Sequence, residues 1–172
     1  MTPVPSTTID LTSLSLSHGE GRRLELPVRP GELELAGQVY ASATPEVRAK
    51  LDISRSSSGY AFRLRFGVRL EGPCMRCLEP AGTDLEIEAR EVDQDRTGDE
   101  ELRSPYVEDG ELDIGRWAHD AMVLAMPARL LCREECAGLC PVCGESLNDA
   151  DAGAHDHGAA PDPRWAKLRD LQ

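Results

Sequence analysis

The chain has 172 residues, 40% of them hydrophobic, with 31 acidic against 19 basic side chains and a formal net charge of −12. That length suits one main domain with a proper core, about two thirds of its surface buried on folding, and leaves room for a short appended module. No apolar run reaches the roughly 18 residues of a membrane span, because the longest, residues 121–128, is broken by Pro127, so no membrane contact is expected.

The charge is unevenly spread. Residues 1–73 carry nine Lys and Arg against eight Asp and Glu, while residues 74–172 carry ten against 23. The second half repels a phosphate backbone at long range, so any RNA contact is expected on the first half, and a basic protein partner suits the second. The N-terminal stretch has no basic residue before Arg22 and no apolar block, which speaks against a secretory signal. Six cysteines, mostly in CxxC pairs, then point to metal thiolates in a reducing cytoplasm rather than to disulfides.

In chain order, residues 1–8 read as a flexible arm and residues 9–130 as a β-rich domain. Alternation of Leu24, Leu26 and Val28 with Arg23 and Glu25 gives a strand that ends at Pro30-Gly31. Leu33, Leu35, Gly37 and Val39 share a face and read as one further strand, and residues 50–54 as a short extended piece. The clearest strand follows, with Tyr60, Phe62, Leu64, Phe66, Val68 and Leu70 on one face and Arg63, Arg65 and Arg69 on the other. Residues 84–92 alternate again (Leu85, Ile87 and Ala89 inward; Glu86, Glu88 and Arg90 outward), so the two strands are natural hairpin partners whose acids can pair with those arginines.

Residues 93–110 are acidic and poorly patterned, and read as a mobile loop. Asp113 then caps a helix over 113–126, with Ile114, Trp117, Ala121 and Met122 at helical spacing and Pro127 ending it. His119 lies off that stripe and reads as a surface residue. Residues 131–172 form a zinc-binding C-terminal segment with a short final helix, started by Asp162-Pro163 and carrying Trp165, Leu168 and Leu171 on an apolar face. The expected class is therefore α+β: a mainly antiparallel sheet that could curl toward a barrel, one central helix and a zinc-knuckle C-terminal segment.

Four of the six cysteines fall in residues 131–148, and Cys140-Pro141-Val142-Cys143-Gly144 is a zinc knuckle: two thiolates three apart on a tight turn face one metal. The other pair, Cys74 and Cys77, sits in the expected hairpin loop. A redox dithiol would instead place its first Cys at a helix N-terminus, where the dipole lowers its pKa. With His155 and His157 the chain offers eight ligands, enough for two four-coordinate zinc sites. Cys132, Cys136, Cys140 and Cys143 on one ion is a cramped arrangement. The roomier partition joins Cys140 and Cys143 to His155 and His157, leaving Cys74, Cys77, Cys132 and Cys136 as a four-thiolate site that ties the sheet to the C-terminal part. Closed sites of this kind stabilise and do not catalyse, so no enzyme is expected.

Cys74-Met75-Arg76-Cys77-Leu78-Glu79, the helix end Leu124-Ala125-Met126-Pro127, the stretch from Cys132 to Asn148 and the terminal Asp162-Pro163-Arg164 occur in one order. On these motifs the chain resembles the YceD family, the large ribosomal RNA subunit accumulation proteins, from about Ile9 onward. It departs at His155 and His157, where such proteins more often carry CxC, and imidazole for thiolate keeps a zinc-ligating role. The resemblance implies a non-enzymatic factor for accumulation or processing of large-subunit rRNA, contacting rRNA or a pre-ribosomal particle. Arg63, Arg65, Arg69 and Arg76 are the candidate RNA contacts. An acidic adaptor for a basic ribosomal protein is the alternative.

Overall fold

The computed structural model describes residues 7–94, 100–149, 155 and 157. Two antiparallel sheets and one helix make up these residues. The large sheet holds β2 (Gly21–Val28), β5 (Val47–Arg55), β6 (Tyr60–Pro73), β4 (Gln38–Ser42) and β3 (Glu32–Leu35) in that order, with β7 (Pro80–Asp93) on the other side of β6. The small sheet places β1 (Thr8–Asp10) beside β9 (Glu111–Asp113), which pairs with β8 (Val107–Glu108). Helix α1 (Ile114–Ala125) follows β9 directly.

Everything hangs on β6. Its fourteen residues pair with β7 from Tyr60↔Asp93 to Pro73↔Pro80. On its other edge β5 takes residues 60–65, and β4 pairs with Leu70 and Glu71. Strand side chains alternate, so Phe62, Leu64, Phe66, Val68 and Leu70 all turn to one face, where each is at most 5% exposed. Each such burial contributes roughly 1.5–3 kcal/mol. Against this face pack Leu11, Leu51, Ile53, Leu112, Ile114, Trp117, Met122 and Leu130, the last from beyond the helix.

α1 begins where the carboxylate of Asp113 accepts the amide of Arg116 at 3.0 Å. It ends at Ala125, before Met126 and Pro127, in keeping with the extended backbone that a following proline imposes. Among the described residues the outer strands of the large sheet do not meet, so the sheet is open and the barrel expected from the strand count is not formed.

Five local expectations are corrected. Residues 32–42 form a hairpin and not one strand, because Ala36 and Gly37 both take positive φ (52° and 76°), the backbone of a two-residue turn. The piece at residues 50–54 is the middle of the nine-residue β5, paired on both edges. Thr8, placed in the arm, belongs to β1, and the carbonyl of Thr7 accepts the amide of Ile114.

The fourth correction concerns residues 93–110, of which the described residues 93–94 and 100–110 are ordered. Asp93 is buried and its carboxylate holds Nε of Arg103 and the amide of Ser104, residues 100–102 form a 3₁₀ turn, and Asp109-Gly110 closes the β8–β9 hairpin. His119 is half-buried rather than superficial, its Nδ1 lying 2.7 Å from the carbonyl of Pro30. The expected final helix with Trp165 lies outside the described residues.

Candidate metal centres

The β6–β7 hairpin ends in residues 74–79, so the first CxxC pair stands at the tip of the longest ladder in the molecule. The amide of Cys74 donates to the carbonyl of Glu79 and the amide of Leu78 to that of Cys74, with Leu78 in the left-handed region at φ 64°. Residues 140–145 repeat the same turn. There the amide of Cys140 donates to Glu145 and that of Gly144 to Cys140, with Gly144 at φ 76°. Both hexapeptides read Cys-x-x-Cys-x-Glu, a likeness that aligning them would have exposed.

Around the first turn gather Cys74, Cys77, Cys132 and Cys136, and around the second Cys140, Cys143, His155 and His157. Within each group one ligand atom per residue lies within 4.8 Å of the others. The roomier of the two partitions weighed from the sequence is therefore the arrangement that the fold brings together.

The fit to a tetrahedral ion can be tested on distance. Thiolates about 2.3 Å from zinc stand about 3.8 Å from one another at the tetrahedral angle, and a thiolate and an imidazole nitrogen about 3.6 Å. Cys74 and Cys136 sulfurs are 3.7 Å apart, Cys77 and Cys132 sulfurs 3.5 Å, and the Cys143 sulfur is 3.4 Å from Nδ1 of His155. All six thiols are free. Donor chemistry and spacing thus fit zinc in both groups, and such an ion, when bound, supplies cross-linking with every position filled.

The two environments differ. Cys74, Cys77 and Cys136 are buried and packed with Ala81, Leu131 and Leu139 in a small cluster beside the main core. Around the second turn Cys143 is exposed and Val142 is 70% exposed. Burial pushes the Cys74 thiol up, but hydrogen bonds from the amides of Arg76, Cys77 and Cys132 outweigh it and bring the group to about 6. Cys132 moves the other way, to about 12, through burial and then through bonding to Cys77 and the other thiols. Amides of Cys143 and Val142 bring Cys140 to about 7. Each group thus holds one thiol already poised as the thiolate a metal requires.

Several contacts lock the first centre in place. The amide of Met75 donates to the carbonyl of Leu130 at 2.9 Å, and the Arg76 guanidinium to the carbonyl of Cys136 at 2.6 Å. Asn148 reaches back to take the amide of Ala137 at 2.8 Å, while Leu147 bonds to Gly138, so the second turn leans on the segment that carries Cys136. Sequence reading missed Met75, Leu130 and Asn148, since each acts through the backbone of a distant residue.

Arg63, Arg65 and Arg69 share the outer face of β6, and each already has a carboxylate partner. Arg63 meets Glu88 at 2.6 Å, Arg65 meets Asp52 at 2.6 Å, and Arg69 meets both Asp84 and Glu71. Asp52 also holds Arg23, and hydrogen bonding to that arginine is the main reason its carboxyl lies below the usual range. Arg76 stands apart at the hairpin tip, bonded to Cys136.

The profile of the family described as large ribosomal RNA subunit accumulation protein YceD matches residues 62–172, which begin in β6 and take in both centres. The chain belongs to that family. Among curated relatives, uncharacterized proteins of Mycobacterium tuberculosis and Mycobacterium bovis are 35% identical over 106 residues, 58% of this chain and 49% of theirs. One of Mycobacterium leprae is 31% identical over 103 residues, 57% of this chain and 46% of its own. The chain spans about half the length of the curated relatives it matches. No solved structure matches. No helix among the described residues is long and apolar enough to cross a membrane.

Proposed function

We propose that this family member is a non-enzymatic ribosome-biogenesis factor of the cytoplasm that supports accumulation of large-subunit rRNA by binding an assembly intermediate, its scaffold riveted by two structural zinc ions. What supports the reading is that each group offers four donors within 4.8 Å of one another, enough to fill a tetrahedral ion with no position left for water or substrate. Family membership supplies the ribosomal setting. The rRNA-facing surface in this reading is the outer face of β6 with Arg63, Arg65 and Arg69, together with Arg76 at the hairpin tip. Sequencing the RNA bound to tagged chain recovered from cells tests it: enrichment of large-subunit rRNA over small-subunit rRNA is expected, and equal recovery of both would sink it. Charge reversal at the four arginines should flatten the salt dependence of binding.

A second reading has its own support. Every arginine of the β6 stripe is neutralised by an acid, whereas the chain as a whole carries −12. An acidic adaptor that holds a basic ribosomal protein uses that balance directly. Purification after nuclease treatment separates the two, since a basic large-subunit protein stays bound only if the contact is between proteins.

A further inference from the structure

β7 pairs with β6 along its whole length and with no other strand among the described residues, so one edge of a fourteen-residue strand presents backbone donors and acceptors without ladder partners. Beside that edge runs α1, and between them lies a cleft of about 420 Å³. Residues 86–91 line it without a gap. Because successive strand side chains point to opposite faces, an unbroken run of six means that the wall is the strand's edge itself. The facing wall is apolar and aromatic, with Tyr106, Trp117, Ala121 and Leu124, and Leu124 is 86% exposed.

The cleft is also negative. Glu86, Glu88 and Glu91 line it with Arg90; Glu88 is already paired with Arg90 and with Arg63 of β6, which leaves Glu86 and Glu91 without an ion pair among the described residues. Glu91 turns to the inner face, in register with Phe62, where burial holds its carboxyl above the ordinary range, the amide of Val92 opposes the shift and the charge of Asp93 adds to it. Among the described residues its one hydrogen bond is from the amide of Val92 at 3.3 Å, and no cation pairs with it. A carboxylate held this way in an aromatic cleft suits a cation that arrives with an apolar stem, as Lys and Arg do.

We infer that this edge is a docking site for an extended, lysine- and arginine-rich polypeptide segment, which adds to β7 as a further strand with alternate side chains lying between Leu124 and Glu91. The free edge supplies main-chain hydrogen bonds, the α1 wall supplies apolar contact, and the glutamates choose the charge of the partner. RNA is disfavoured because its phosphates would face the unpaired carboxylates of Glu86 and Glu91. A second copy of the chain is disfavoured too, since two β7 edges related by a two-fold axis would bring the same glutamates together. The inference rests on the adaptor reading above and gives that reading a location.

The test uses the full chain and a fluorescently labelled peptide of alternating lysine and valine, read by anisotropy. Three other reagents accompany it: a glutamate–valine peptide, the lysine–valine peptide N-methylated at alternate residues, and the variants Leu124→Ser and Glu91→Gln, checked for an unchanged melting temperature. Saturable binding of the lysine–valine peptide is expected, with none for glutamate–valine, and a loss of about tenfold on N-methylation and in each variant. Equal affinity for the N-methylated peptide and for both variants would mean diffuse charge attraction and overturn the site. Displacement of the peptide by oligouridine, or dimerisation abolished by Leu124→Ser, would assign the cleft to RNA or to a second copy and equally overturn it. If nuclease-treated purifications retain a basic ribosomal protein as well on the variants as on the wild type, the site fails and the adaptor reading stands. If the wild type retains none, that reading fails by itself.

Discussion

The two candidate metal centres share a turn and differ in what the turn joins. Both use Cys-x-x-Cys-x-Glu, the same pair of backbone hydrogen bonds and a left-handed fifth residue, yet one is buried and the other half open. At the hairpin tip, Cys74 and Cys136 are 62 residues apart in sequence, so a metal there closes a long loop across the molecule. In the second centre Cys143 and His155 are 12 apart, and the metal closes only its own segment. By loop-closure entropy alone the longer link constrains the unfolded chain by about 1.5 kcal/mol more, and burial adds to the difference. A knuckle motif therefore fixes ligand geometry, while its place in the fold decides whether a metal there staples the domain or only a loop.

The largest expected effect comes from removing one thiol from each centre in turn. Structural zinc contributes about 10 kcal/mol or more to folding of isolated zinc modules, against a typical domain stability of about 5–15 kcal/mol. Cys136→Ser should thus cost one of two bound zinc ions and most of the cooperative thermal transition of the sheet. Cys143→Ser should cost one ion and move the sheet's melting temperature by only a few degrees. Elemental analysis and thermal melts check both, and equal destabilisation would erase the contrast between a staple and a local clip.

Next in size is the third residue of each turn. Arg76 ties the hairpin tip to the carbonyl of Cys136, whereas Val142 in the same position points to solvent. Arg76→Ala should cost about 1–2 kcal/mol in denaturant unfolding and Val142→Ala almost nothing. Loss of RNA affinity in Arg76→Ala without loss of stability would give that side chain to the partner instead.

Much of this was legible in the chain, because the relevant signals are periodic or stoichiometric. Alternation over Tyr60 to Leu70 and over Leu85 to Ala89 fixed a hairpin, and a loop bearing Cys74 and Cys77 then had to meet ligands from elsewhere. Counting eight donors and judging chain lengths between them gave the partition into two groups. What escaped depends on contacts between distant backbones. Ala36-Gly37 lacks the Asn or Asp that usually announces a two-residue turn, so two strands read as one. Nothing near Thr8 says that its partner is Asp113, and the short runs on either side of Gly110 alternate over too few residues to register as strands. The ordering of residues 100–110 around Asp93 is likewise a tertiary effect on a segment whose composition argues for a loop.

A smaller test exchanges the left-handed residues. Leu78 holds φ 64° with its side chain 54% exposed, while Gly144 holds φ 76° with open space where a Cβ would stand. A non-glycine residue in this region costs about 1–2 kcal/mol, and glycine costs roughly 0.5–1 kcal/mol in unfolded-chain entropy. Gly144→Leu should therefore lower zinc retention at the second centre by about tenfold, since little else holds that turn. Leu78→Gly should leave the first centre within about 1 kcal/mol of wild type, as burial and the Met75–Leu130 bond already fix it. Chelator competition reads both. A Leu78→Gly chain that keeps its metal but no longer binds the particle would show that the strained, exposed leucine serves the partner surface.

The finest distinction is in protons. Metal must displace them from thiols that are still protonated, whereas neutral imidazoles give up none at mildly alkaline pH. Cys132, pushed up to about 12, remains a thiol at pH 8, while Cys74 at about 6 is already a thiolate. In the second centre Cys140, at about 7, is mostly ionised at pH 8, and Cys143 is raised: the amide of Glu145 pulls it down, but burial and the neighbouring Cys140 outweigh that. Zinc uptake by the four-thiol centre should consequently release more protons, by on the order of one per ion, and its affinity should fall more steeply on acidification. The sign follows from competition: affinity is fullest above the thiol pKa values and is lost as pH drops through them. Calorimetric titration of zinc into the metal-stripped full chain and into metal-stripped Cys143→Ser, in buffers of different ionisation enthalpy, gives the first centre from the variant and the second by difference. Equal proton release from both would mean that the thiols of the two centres are equally ionised before uptake, and the contrast between them would fail.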